Sequence, residues 1–198
     1  MLLYYITDRR AFGGEEAENC GALLDRLRTA AAAGVDYIQL REKDLSARAL
    51  ESLAKKAVAA VRAASSTTRI LINQRADIAL ASGADGVHLP GGSLPPSEIR
   101  ALWMRACDRV PTIGVSSHCV EDVRYAESHG ADFVVLAPIF EKPGTDLPGL
   151  GLDMLALACG GAKPPDNTES APQSGFPVLA LGGVNLANAG PCLNAGAA

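Results

Sequence analysis

The chain has 198 residues, a net charge of −4, 48% hydrophobic and 20% charged side chains. That is one domain's length with enough apolar material for a core, so a long repeat array and global disorder are excluded. No Lys/Arg block is present to displace counterions, and aromatic residues are only 5%, so nucleic acid is not expected as a partner.

The chain opens Met1-Leu-Leu-Tyr-Tyr-Ile-Thr-Asp8, an apolar run without a basic leader and too short for a signal core or a membrane span. The expectation is a soluble, cytoplasmic protein. Five cysteines (Cys20, Cys107, Cys119, Cys159, Cys192) form an odd set outside metal-ligand spacing, suggesting neither a disulfide framework nor a zinc site. Leu2–Ile6 reads as a first strand. Leu23, Leu24 and Leu27 then share one helix face and lead into Ala33-Gly34-Val35-Asp36. That phrase returns as Ser82-Gly83-Ala84-Asp85 and His129-Gly130-Ala131-Asp132, and a fourth copy begins at Ala195-Gly196. Each time a glycine able to end a helix is followed at once by a short apolar run, which is a helix-to-strand turn.

Further strands are expected at Val35–Leu40, Ile70–Asn73, Gly86–Leu89, Thr112–Val115, Phe133–Leu136 and Val178–Leu181. Leu50, Leu53, Ala54, Ala57 and Val61 have the spacing of one buried helix face, with Ser46 and Ser97 as N-caps of their helices. Alternating strands and helices imply a parallel sheet, and seven strands with an eighth opening at Gly196 is the count of a (βα)8 TIM barrel. A doubly wound open sheet has the same periodicity and stays open as an alternative. The expected architecture is one barrel domain over 1–198 lacking strand eight and helix eight, hence a fragment of a longer barrel. The run from Gly160 to Gly175, rich in Pro and Gly, is expected to be a flexible loop insertion.

Barrel chemistry sits at the C-terminal strand ends, and here those ends are polar. Strand one ends in Thr7-Asp8-Arg9, strand two in Gln39-Leu-Arg41-Glu42-Lys43, and strand three in Asn73-Gln74-Arg75. Strand four carries His88, strand five Ser116-Ser117-His118, and strand seven Gly182-Gly183. Arg41 and Lys43 lie two apart, so in an extended segment both leave one side and can close on a phosphate, with Glu42 facing away. The competing reading is a surface charge run pairing with Glu42 and Asp44. Gly182-Gly183 allows close backbone approach and offers N–H groups to a phosphate. His88 could face a ligand or hydrogen-bond inside the barrel. The serine pair before His118 could serve the site or cap a helix starting at Cys119. His129 reads as a cation at a helix C-terminus.

Tyr5-Ile-Thr-Asp8, Gln39-Leu-Arg-Glu-Lys43, Ile72-Asn73-x-Arg75-Ala-Asp77, Gly86-Val-His88, Gly114-Val-Ser116-x-His118, Pro138-Ile-Phe140 and Leu181-Gly-Gly183 resemble, in order and spacing, the thiamin-phosphate synthase and TenI-like family over essentially the whole chain. The resemblance implies a (βα)8 transferase of thiamin biosynthesis that joins hydroxymethylpyrimidine diphosphate to thiazole phosphate and releases diphosphate with Mg2+. It implies that Gln39, Arg41, Lys43 and Asn73 hold the pyrimidine diphosphate, that Ser116 contacts diphosphate, and that Gly182 and Gly183 take the thiazole phosphate. Arg41, Lys43, Ser116 and His118 are the expected catalytic groups; His88 and Lys142 join the substrate-binding set.

The departures are also specific. The family's two metal-binding aspartates correspond to Gln74 and Ser93, neutral groups that hold a hard cation more weakly. Leu89-Pro-Gly-Gly-Ser93 resembles the TenI-like branch, which includes thiazole tautomerases, while Pro138 stands where that branch has its histidine. After strand six, Glu141-Lys142-Pro143-Gly144-Thr145 replaces the synthases' Pro-Thr-x-Thr-Lys and leaves Lys142 in a shifted register. Three readings follow: a synthase-like transferase, a tautomerase using His88, His118 or Glu141 as proton carrier, and a non-catalytic binder of thiazole or thiamin phosphate. The partners implied are small phosphorylated pyrimidine and thiazole molecules, with no nucleic acid, no membrane, and homo-oligomerisation left open.

Overall fold

A computed structural model describes residues 1–141, 148–160 and 175–198. The seven strands are β1 (Tyr4–Ile6), β2 (Tyr37–Leu40), β3 (Arg69–Asn73), β4 (Gly86–Leu89), β5 (Thr112–Ser117), β6 (Phe133–Leu136) and β7 (Val178–Ala180). Between and after them come α1 (Glu16–Ala32), α2 (Ala47–Ala64), α3 (Ala76–Ser82), α4 (Pro96–Ala106), α5 (Val120–Ser128), α6 (Gly151–Ala158) and α7 (Ala189–Asn194), with a 3-10 turn at Arg9–Phe12 before α1. Strand order in the sheet follows chain order, and the registered pairs are parallel. A doubly wound sheet reverses its order at a switch point, so this is the (βα)8 topology, with seven strands and no eighth among the described residues. Ala198 donates its N–H to Val178 O (3.0 Å).

Two compact units divide the chain. Leu2–His88 with Glu98–Ile113 forms one. Its core joins Leu23, Leu27 and Ala31 of α1, Leu50, Leu53, Ala54, Ala57 and Val61 of α2, Ile38 and Leu40 of β2, Ile70 and Ile72 of β3, and Trp103. The buried positions of α2 recur three or four residues apart, and Ser46 Oγ accepts the Ala49 N–H (3.3 Å), so the helix starts where a capping serine is expected. Gly86 is needed for closeness: a Cβ there would stand 1.8 Å from Thr112 O. Ser97 is not a cap. The helix starts at Pro96, whose fixed φ and missing N–H suit a first turn, and Ser97 falls inside it.

Leu89–Ser97 and Gly114–Ala198, with Met1, make the other unit. Its buried residues include Val120, Val123 and Ala126 of α5, all of β6, Leu155 of α6, Val178 and Leu179 of β7, and Cys192 of α7. Helix α5 begins at Val120 with Cys119 as its N-cap residue, so Ser117 does not cap it. Ser117 is a fully buried residue of β5, and the carboxylate of Asp122 instead takes the N–H of His118 (2.9 Å). His129 follows the end of α5 as read, its Nδ1 2.8 Å from Tyr125 O and its ring stacked on Tyr125. Lys142 and most of the 160–175 segment lie outside the described residues.

The repeated Gly-x-Asp phrase has a structural cause. Gly34, Gly83 and Gly130 all take positive φ (86°, 72°, 81°), as a left-handed helix end requires. The aspartate two residues on reaches a neighbouring strand: Asp36 Oδ2 accepts the Leu3 N–H (2.8 Å), and Asp85 Oδ2 accepts the Ile70 N–H (2.9 Å). Both bonds lie at the N-terminal ends of strands, remote from the ends that carry the polar set. These aspartates satisfy backbone donors where the sheet begins.

Candidate active site

In the unit built on β1–β4, parallel register brings the C-terminal residues of successive strands level. Asn73 lies opposite His88 and Leu40 opposite Ile72. Gln39 is buried, and its Nε2 donates to Asn73 Oδ1 (2.9 Å), so the amides of β2 and β3 orient each other. His88 is also buried, within hydrogen-bond distance of the Tyr4 hydroxyl (Nδ1 to Oη 3.0 Å). Desolvation, reinforced by the positive charge of Arg41, pushes its pKa down to about 4, so the imidazole is neutral at pH 7. Burial holds the Tyr4 phenol well above its ordinary range.

Arg41 and Lys43 are exposed, whereas Glu42 between them is buried. The alternation expected of an extended segment is present, and its cause is specific. Glu42 Oε1 accepts the Thr7 hydroxyl (2.5 Å), and Oε2 accepts the backbone N–H and Nη1 of Arg9 (both 3.1 Å). Asp44 takes Nη1 and Nη2 of the same guanidinium (2.7 and 2.6 Å), and Glu16 takes Nε and Nη2 (2.9 and 3.0 Å). Bonding to Arg9 holds the Asp44 carboxyl well below its usual range. The reading in which Arg41 and Lys43 pair with Glu42 and Asp44 is therefore corrected, because Arg9, with Arg10 at 2.9 Å from Asp44, occupies both carboxylates. Among the described residues, Arg41 and Lys43 form no ion pair. Lys43 and Glu42 line a cavity of about 320 Å³ with Leu50, Asn73, Gln74 and Arg75 among its other walls. Arg75 itself is bound to Asp77 through Nε and Nη2 (2.8 and 2.6 Å).

The unit built on β5–β7 carries the remaining residues. Ser116 is half-buried near the end of β5. The His118 ring is exposed, with Nδ1 2.8 Å from Ala137 O. A carbonyl only accepts, so Nδ1 donates to it, and in the neutral ring the free lone pair lies on Nε2. Gly182 and Gly183 follow β7 with φ of 90° and 66°; a Cβ on the first would meet Pro138 Cα at 2.7 Å, and on the second Phe140 Cβ at 2.8 Å. Phe140 donates its N–H to Gly182 O (3.0 Å), and the Asn188 amide donates to Gly183 O (3.0 Å). The carbonyls of this turn are thus engaged while its glycine N–H groups donate to no acceptor among the described residues.

The positions expected to hold Mg2+ do not suit it. Gln74 offers a neutral amide on a residue at φ 63°, and Ser93 Oγ donates to Leu94 O (3.2 Å). No group of three His, Cys, Asp or Glu among the described residues is placed to share a cation. Sequence reading missed Thr7 and Arg9 as partners of the site, and Tyr4 as partner of His88. The available signal was the polar end of strand one beside a segment alternating basic and acidic residues.

The family described as thiamine monophosphate synthase matches residues 3–198. The thiamine-phosphate synthase of Halalkalibacterium halodurans is 36% identical over 94% of this chain and 81% of its own length, and that of Roseiflexus castenholzii 34% identical over 99% and 76%. Among solved structures, the thiamine phosphate pyrophosphorylase of Pyrococcus furiosus aligns with a TM-score of 0.74 at 28% identity, over 99% of this chain and 82% of that one. With a family match over nearly the whole chain and relatives above 30% identity along most of their own lengths, the chain belongs to the thiamine monophosphate synthase family.

Proposed function

We propose that the protein is a thiamin-phosphate synthase-like transferase, joining hydroxymethylpyrimidine diphosphate to thiazole phosphate and releasing diphosphate. In this reaction the thiazole ring nitrogen donates its lone pair to the pyrimidine methylene carbon. The C–O bond to diphosphate breaks, and the diphosphate leaves with that bonding pair. The observation that carries the reading is the basic pair Arg41 and Lys43, left without carboxylate partners because Arg9 occupies Glu42 and Asp44. Such cations stabilise charge where it develops, on the leaving oxygens. Gln39 and Asn73 give directed amide contacts to the same substrate. The N–H groups of Gly182 and Gly183 take the thiazole phosphate. Neutral His88 donates or accepts a hydrogen bond without adding charge.

The substitution Arg41→Ala is expected to weaken diphosphate binding by about 1.5–3 kcal/mol, the range for hydrogen bonds to charged groups, with little change in melting temperature. Calorimetric titration with the pyrimidine diphosphate beside a thermal melt checks this. Unchanged binding with a large stability loss would show that the residue serves the fold. For the reaction itself, both substrates with purified protein must yield thiamin phosphate.

A tautomerase is the second reading, favoured by one feature: the His118 tautomer fixed by Ala137 O presents Nε2 as a proton acceptor. Thiazole isomer interconversion followed by NMR distinguishes it from the transferase.

A further inference from the structure

The groups that hold Arg41 and Lys43 in place tie the β2 loop to strand one. Thr7 Oγ1 accepts the backbone N–H of Arg41 (2.9 Å) and donates its own proton to Glu42 (2.5 Å). A hydroxyl with one proton can do both only in this direction. Glu42 cannot move outward without abandoning Thr7 and Arg9, and all five N–H donors of the Arg9 guanidinium are taken by Glu42, Asp44 and Glu16. Residues 42 and 44 are thus drawn toward Arg9, leaving 41 and 43 on the other side of the segment. The same contacts remove the two acidic groups nearest in sequence to the basic pair, which would otherwise compete with an anion for it.

We propose that Thr7, Glu42 and Arg9 are positioning residues for the diphosphate subsite: they fix the backbone at Arg41 and keep its acidic neighbours from neutralising the Arg41–Lys43 pair. The inference rests on the reading of that pair as a diphosphate clamp. Isosteric loss of the Thr7 hydroxyl should therefore cost diphosphate affinity even though no contact to the ligand is removed.

The test compares the parent protein with Thr7→Val, Thr7→Ser, Glu42→Gln and Arg41→Ala, each titrated with inorganic diphosphate and assayed for KM toward both substrates. Thr7→Val and Glu42→Gln are expected to weaken diphosphate binding about tenfold, equivalent to one hydrogen bond of about 1.4 kcal/mol. They should raise KM for the pyrimidine diphosphate by a similar factor and leave KM for the thiazole phosphate unchanged. Thr7→Ser, which keeps the hydroxyl, should restore parental values. A Thr7→Val protein that melts earlier but binds diphosphate like the parent, or one that loses affinity for both substrates alike, would overturn the proposal. If Arg41→Ala binds diphosphate as the parent does, or the parent does not bind it, the clamp reading fails first and the positioning role falls with it.

Discussion

Replacing Arg9 by methionine is expected to lower unfolding free energy by about 3–5 kcal/mol, the cost of removing one partner from a buried charge network. Methionine fills much of the volume, so a cavity is not the main loss. The loss arises because Glu42, Asp44 and Glu16 remain gathered around a side chain without charge. Denaturant melts of parent and variant measure it. Their pH dependence identifies the cause. The Asp44 carboxyl lies below its ordinary 3.8 through its bonds to Arg9, and Glu16 below 4.5 for the same reason. Arg9's stabilisation of these groups is present above those values and is lost as pH falls beneath them. The difference between the proteins should therefore narrow in acid. A difference constant with pH would point to packing.

Acidification from neutral pH should also weaken the parent before those carboxylates titrate. His88 is the cause. Its pKa of about 4 in the fold, against 6.5 for an ordinary histidine, means the unfolded chain takes up a proton across a range where the folded one does not. The stabilisation is complete above about pH 6.5, falls progressively toward pH 4, and has gone below it. At about 1.4 kcal/mol for each tenfold change in proton affinity, the full drop is roughly 3 kcal/mol. His88→Gln keeps a polar group beside Tyr4 and should flatten stability between pH 6.5 and 4 while leaving the steeper fall below pH 4. A variant with the parent's slope in that window would rule out His88 as its source.

The fold was legible because each of its rules is local. A glycine with positive φ ends a helix, an apolar run follows, and a helix face repeats every three or four residues; Gly83, Gly86–Leu89 and Leu50 through Val61 each follow from neighbours in sequence. Alternation along residues 41–43 was local as well. Which carboxylate serves which cation was not, because Glu42 and Arg9 lie 33 residues apart and meet only when β1 pairs with β2. Near neighbours in sequence suggested surface pairing, and long-range register decided otherwise. Ser117 shows the same limit. A serine ahead of a helix looks like a cap, but β5 runs two residues beyond its apolar part and takes Ser117 into the sheet. Thr7 gave no signal of its own, since a threonine at a strand end fits many environments.

The burial of the Arg9 cluster sorts the charges of the β2 loop by their access to dissolved salt. At physiological ionic strength mobile ions screen exposed charges over roughly 8 Å, and they reach Arg41 and Lys43 at the surface. Arg9 and Glu42, with side chains 3% and 2% exposed, are shut away from them. If Arg41 and Lys43 hold a phosphorylated molecule as proposed, concentrated electrolyte should loosen that hold without dissolving the brace behind it. The response of the proposed ligand to salt and that of the Arg9–Glu42 brace are then separated by the depth at which each set of charges lies.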